Sequence, residues 1–317
     1  MYSYTIDEKI YNQEMMNRKQ IVHRLREIQN SHEYRAGKRI SDLMYAIKSG
    51  PIAFTKMIKD KIVNLQGNYK IRKYAKPIKI REENTEKANY FSDYKIAVYT
   101  CIFGSFDNLR SPLCQPDNID YYIITDQLFE SSTWKKVDIT PYLSELDGLN
   151  PIEKNRWFKM HPDVVFPEYR YSIYIDGNVL PLTDFTEFIN RIKNSGIAMF
   201  WHSYNNCVYQ EALYNKYVVR KTSDEAIERQ IDFLRKKHMP EDYGMTTCNV
   251  IARDHQNPIC KKLMEDWWHI FINTSAKRDQ LSFPYVAWMN SVSMSDVATL
   301  GPDVWATDCL LVLKHGE

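Results

Sequence analysis

The residues best placed to do chemistry sit in Ile173-Tyr-Ile-Asp176-Gly-Asn178, an apolar run that ends in two oxygen-bearing side chains two residues apart. A strand end followed by a small residue can aim both at one point, which suits a hard divalent cation and a diphosphate gripped together, Mg²⁺ or Mn²⁺ being the ions that prefer such donors. Asp-Gly-Asn is also an ordinary turn sequence, and an Asn in the second place supplies one negative charge less than a second acid would. A phosphatase of the haloacid dehalogenase type, which also starts from a strand ending in Asp, needs an acid at position 178 and is excluded by Asn178. His315 is carried as a third ligand, since imidazole is acceptable to Mn²⁺ beside carboxylates.

Two further groups could serve the same chemistry. Asn155-Arg156-Trp-Phe-Lys159-Met-His161-Pro clusters basic residues on a helix face, where Arg156 and Lys159 could neutralise a departing diphosphate. In Arg278-Asp279-Gln, Asp279 opens an apolar helical run and reads first as a helix cap, second as a group accepting a proton from a hydroxyl. His202 follows an apolar run and reads as a packed imidazole before it reads as a ligand. No Walker sequence, G-x-G-x-x-G, G-x-S-x-G or H-E-x-x-H occurs, so the P-loop, dinucleotide, serine-hydrolase and zincin classes lose their usual support.

The elements that must position these residues alternate. Ile96 to Cys101, Tyr121 to Thr125, Tyr171 to Ile175 and Ile197 to Trp201 read as buried strands, with helical segments such as Pro151 to Met160 and Asp184 to Lys193 between them. That order predicts an α/β domain with a largely parallel sheet, whose ligands bind beyond the carboxyl ends of its strands. Asp107, Asp126 and Asp176 all fall there. Leu263, Met264, Trp267, Trp268 and Phe271 recur at helical spacing and read as core.

Length and composition fit this reading: 317 residues, 44% apolar and 26% charged, allow a large core. Six scattered cysteines without a C-x-x-C pair point to reduced thiols in the cytoplasm. Met1 to Gln20 lacks the apolar segment of an export signal, and no apolar stretch reaches the roughly 18 residues of a membrane span. The net charge of +2 conceals a segregation. From Asn17 to Arg81 there are 17 Lys and Arg against 4 Asp and Glu, or +13, which leaves −11 for the rest. Residues 1–92 therefore read as a basic helical arm and linker, and 93–317 as the catalytic-type domain. The arm suggests an anionic membrane surface or a partner protein, which would put the chain at the inner face of a membrane; no nucleic-acid motif accompanies the charge.

Taken in order, Tyr99-Thr-Cys-Ile-Phe-Gly-Ser-Phe-Asp107, Tyr122-Ile-Ile-Thr-Asp126, the Asn155 to Pro162 block, Tyr174-Ile-Asp176-Gly-Asn178, His202 with Cys207-Val-Tyr-Gln-Glu211, and Lys277-Arg278-Asp279-Gln-Leu-Ser-Phe resemble the GT-A-like glycosyltransferases long filed as a domain of unknown function, with plant mucilage-related and bacterial polysaccharide-locus members. The resemblance covers about 95–317 and leaves the arm outside. It implies a GT-A-like Rossmann-type sheet and transfer of a sugar from a UDP-sugar to a glycan or other hydroxyl, as in polysaccharide synthesis. It also implies roles. Thr100, Phe103, Gly104 and Asp107 in the first loop, with Asp126, would hold the nucleoside; Arg156 and Lys159 would face the phosphates. Asp176 and Asn178 would bind cation and diphosphate, while His202, Glu211, Arg278 and Asp279 would surround sugar and acceptor. For an inverting reaction Asp279 is the expected base, ahead of Glu211. The competing reading is a non-catalytic GT-A-like module attached through its arm.

Overall fold

The computed structural model describes residues 20–21, 24, 27–28, 31–72, 74, 94–104, 107–305, 307–313 and 315. The chain divides into two compact units, Met1–Tyr69 and Lys70–Glu317. In the first, Ser31 accepts the Tyr34 N–H and starts helix α1, His32–Lys48. Gly50, at φ +97°, stops it, and Pro51 opens α2, Pro51–Arg72, whose last residues fall in the larger unit. Tyr74, expected in the linker, is buried in a core cluster of the larger unit and stacks on Tyr209. The rest of the expected linker, 75–92, lies outside the described residues.

The larger unit is built on a six-stranded sheet of order β3-β2-β1-β4-β7-β6. Its strands are β1 Ile96–Ile102, β2 Ile119–Thr125, β3 Lys135–Lys136, β4 Tyr171–Ile175, β6 Ile197–Trp201 and β7 Thr246–Asp254. The β1–β2, β2–β3 and β1–β4 pairs are parallel, whereas β7 runs against both β4 and β6. Two short strands, β5 Val179–Pro181 and β8 Leu310–Val312, pair separately. The predicted α/β architecture with a mostly parallel sheet is therefore present. All seven residues of β1 are buried, because both sheet faces are covered.

One face carries α3, Pro151–Met160, with α6, Pro258–Asn273, and α7, Asp279–Met289, packed through Phe158, Met264, Trp267 and Val286. Ile173, Phe185, Phe188 and Phe200 fill the other. A third cluster joins α4, Val208–Tyr214, and α5, Asp224–Lys236, to α7 through Ala212, Ile231 and Leu281. Of the expected helix Asp184 to Lys193, only the turn Glu187–Asn190 is helical, with Asp184 accepting the Thr186 N–H.

Helix α3 forms for local reasons: Asn150 accepts the Ile152 and Glu153 N–H groups, and the Glu153 carboxylate answers the Asn150 N–H. Its other end is pinned from the sheet. Fully buried Arg253 of β7 donates to the Tyr99 hydroxyl at 2.7 Å, which donates in turn to the carbonyls of Phe158 and Lys159. The register of Lys159 is thus set by β1 and β7 together.

Gly196 leads into β6 at φ +71°, and a Cβ there would lie 2.5 Å from Asn257 Cγ and 2.8 Å from Cys260 Cβ. Asn257 caps α6 through the Ile259 and Cys260 N–H groups. Gly196→Ala combines overpacking with left-handed strain, and should cost about 2 to 4 kcal/mol of stability in urea denaturation.

Candidate active site

β1, β2 and β4 run parallel, so their carboxyl ends lie at the same edge of the sheet. Asp176 follows β4 directly; its N–H donates to Asn249 O of β7, and its Oδ1 accepts the Tyr174 hydroxyl at 2.7 Å. The next residue has no room for a side chain: a Cβ on Gly177 would come 2.9 Å from Ile102 Cδ1 and 3.1 Å from Asp107 Cβ. Asp107 therefore packs against the tip, and its carboxylate meets His315 Nδ1 at 2.9 Å. Asn178 is partly committed elsewhere. Its Nδ2 donates to Leu313 O, and the Leu313 N–H donates back to Asn178 O, tying the tip to the end of β8.

Behind Asp176 lies a buried ion cluster. Lys159 Nζ stands 2.7 Å from Asp279 Oδ2 and 3.7 Å from Asp176 Oδ1, and Arg156 Nε is 2.8 Å from the same Asp279 oxygen. Lys159 and Asp279 are both buried. Burial alone would raise the Asp279 carboxyl, yet Arg156, Lys159 and Arg278 outweigh it and hold it well below the usual carboxylate range. Asp279 is the first residue of α7, not its cap. Its Oδ1 accepts only the adjacent Gln280 N–H, while Trp267 Nε1 holds its carbonyl. Such a carboxylate is a poor proton acceptor, so the expectation that it leads as base is revised. Likewise Lys159, fully buried and paired, is a structural cation rather than one turned to a phosphate. Arg156 is partly exposed and donates to Asn155, which donates to Cys101 O.

The second carboxylate behaves oppositely. Glu211 on α4 accepts from Asn205 and, at 2.8 Å, from Asn215. Burial raises its pKa to about 7, against the lowering effects of Asn205, Arg278 and Asn215. His202 stands 3.5 Å from Glu211 Oε2 through Nε2. Burial lowers its pKa to about 4, so it is neutral at pH 7. Its Nδ1 accepts the Tyr204 and Asn205 N–H groups, which leaves the proton on Nε2, facing Glu211. Arg278 bears electrostatically on both Glu211 and Asp279. Lys277, at φ 49°, turns the chain there, and its ammonium pairs with Glu153 at 3.1 Å.

Of the residues expected around the nucleoside, the Gly104 N–H donates to the Asp126 carboxylate at 3.3 Å, joining the first loop to β2. Thr100 and Phe103 do not join them. Thr100 is fully buried within β1, and Phe103 stacks on Phe158 with centroids 5.8 Å apart, so both are core. Ser105 and Phe106 lie outside the described residues.

Two residues were not singled out from the sequence. Asn249 sits across from Asp176, and its Oδ1 is buried without a hydrogen-bond partner. Lys221 follows a π-helical turn, Asn215–Val219, and the left-handed Arg220 at φ 53°. Its side chain is exposed; partial desolvation and then Arg278 lower its pKa, while Asp107 and Asp176 oppose them. No motif marks Lys221; a backbone turn delivers it. Among the described residues no three His, Cys, Asp or Glu side chains converge to hold a metal.

Residues 150–299 match the family described as TOD1/MUCI70, glycosyltransferase-like domain. The match takes in Arg156, Lys159, Asp176, Glu211 and Asp279, and leaves out the 99–107 and 122–126 blocks and His315. The Arabidopsis thaliana protein called "Probable hexosyltransferase MUCI70" is 25% identical in a comparison over 220 residues that covers 60% of this chain and 37% of that protein. The chain thus corresponds to little more than a third of that relative's length. The resemblance drawn from the order of motifs, to a GT-A-like glycosyltransferase family of plant mucilage type, is borne out. Solved structures similar to the chain include the WbbM bifunctional glycosyltransferase, with a TM-score of 0.42 at 10% identity over 67% of this chain and 40% of that one. Mouse xyloside xylosyltransferase 1 gives 0.37 at 12% identity over 64% and 83%.

The ion cluster sets an acid dependence. Asp279 has a depressed carboxyl, so its contribution to stability is complete above the unfolded-state value of about 4 and is lost as pH falls below it. Asp279→Asn should cost about 3 to 5 kcal/mol at pH 7, by leaving Lys159 buried without its counter-charge, and should flatten stability between pH 4 and pH 2. Chemical denaturation across that range checks both.

Proposed function

We propose that the chain transfers a hexosyl unit from a nucleotide-sugar, a UDP-sugar by the family resemblance, to a hydroxyl of a glycan acceptor. The observation that carries this reading is the ion cluster at the strand tip: Asp176 fixed at the end of β4, Lys159 between it and Asp279, and Arg278 and Lys221 within electrostatic range of these acids. Arg278 and Lys221 supply positive charge where a diphosphate would gather negative charge. The Arg278 Nε is buried with no hydrogen-bond partner, a donor suited to a phosphate oxygen.

The oxygens of Asp176 and Asn178 fit a Mg²⁺ or Mn²⁺ ion that completes its shell with diphosphate oxygens, not an ion held by protein alone. When bound, such an ion would neutralise diphosphate charge. His315, engaged with Asp107, belongs to the rim of this tip.

In the reaction, the acceptor oxygen forms a bond to the anomeric carbon while the bond from that carbon to the diphosphate oxygen breaks, and the electron pair leaves with the diphosphate. Glu211 takes the acceptor proton. With a pKa raised to about 7 it is a far better acceptor than Asp279, and the Nε2–H of neutral His202 orients it. This arrangement inverts the anomeric configuration.

UDP release from a panel of UDP-hexoses, with and without Mn²⁺, tests the reading. Asp176→Ala should abolish release. The rate should fall below about pH 7 as Glu211 becomes protonated, and Glu211→Gln should lower turnover by about 10² to 10⁴ and erase that limb of the profile. Absence of both donor binding in calorimetry and UDP release would contradict the proposal.

A further inference from the structure

The helix pair of the smaller unit carries a feature that sugar transfer does not use. On α2, Phe54, Ile58, Ile62, Leu65 and Tyr69 follow each other at steps of four, four, three and four residues. At about 100° per residue they occupy an arc of about 80°. All are exposed, and Ile62, Leu65 and Tyr69 reach 50%, 70% and 83%. This is not the packed side of the helix, because Met57, Asp60, Asn64 and Gly67, on another face, are half-buried or buried. Lys59 and Lys61 flank the apolar arc. Helix α1 repeats the pattern, with Ile40, Met44 and Ile47 exposed between Arg39 and Lys48.

We propose that this helix pair docks in the plane of an anionic phospholipid surface. Exposed apolar rows bordered by cations match a layer that is apolar below and negatively charged above. The charge excess of residues 17–81 acts in the same direction. A second copy of the chain is the poorer occupant, since it would bring Lys59 and Lys61 against their own kind without any acid in the arc to pair them. Neither helix is long and apolar enough to cross a membrane, so the pair lies on the surface.

Co-sedimentation of the full chain with phosphatidylcholine vesicles, with and without phosphatidylserine, tests this independently of any donor chemistry. Binding should require phosphatidylserine and disappear in about 1 M salt, where the screening length is about 3 Å. Each removed cation should weaken binding about fivefold, so Lys59→Ala with Lys61→Ala should cost about 25-fold. Leu65→Ser, and separately Tyr69→Ser, should also weaken it, with circular dichroism and UDP binding unchanged. Equal binding to neutral vesicles, no binding to anionic ones, insensitivity to these substitutions, or a concentration-dependent dimer lost in Leu65→Ser would overturn the proposal.

Discussion

A lysine and an aspartate 120 residues apart in the chain meet inside the core, Lys159 Nζ on Asp279 Oδ2 at 2.7 Å, and the arrangement of the candidate site depends on that contact. Removing either ion from water costs several kcal/mol, and only close geometry and further partners offset it. Arg156 supplies one such partner, the Tyr174 ring stacked 4.6 Å from the ammonium another, and Asp176 the link to the opening. Helices α3 and α7 cannot shift against the sheet without leaving a charge unpaired. The cluster is therefore a brace: it fixes the angle at which Asp176 leaves β4.

Around that brace the larger unit separates two electrostatic tasks. Three cations crowd Asp279 and keep it ionised, whereas Glu211 sits among amides and apolar side chains that raise its pKa to about 7. Two carboxylates driven in opposite directions by their surroundings can divide structural and proton-accepting work between them. Arg278 acts electrostatically on both carboxylates. Lys221, brought in by the π-helical turn after α4, adds positive charge within electrostatic range of Asp107 and Asp176.

Much of this was legible in local sequence. Strand β6 and helix α3 fall on the predicted bounds, because an unbroken apolar run and a capping box declare themselves over a few residues. Asp176 at a strand tip was likewise readable. Strand β7 was not, since Thr247, Asn249 and fully buried Arg253 interrupt the apolar pattern that marks a central strand. The same limit explains Asp279, whose cap-like setting is local while its two cation partners come from a distant helix. Thr100 is hidden because its strand is covered on both faces, and Phe103, just past the strand, because it stacks on Phe158.

The most direct test of the account is a crystal structure of the chain with UDP and Mn²⁺. The account predicts a diphosphate beside Asp176, within reach of Arg278 and Lys221, with the Lys159–Asp279 pair intact behind it. A nucleotide bound elsewhere on the molecule, or one whose phosphates break into that pair to claim Lys159, would contradict it.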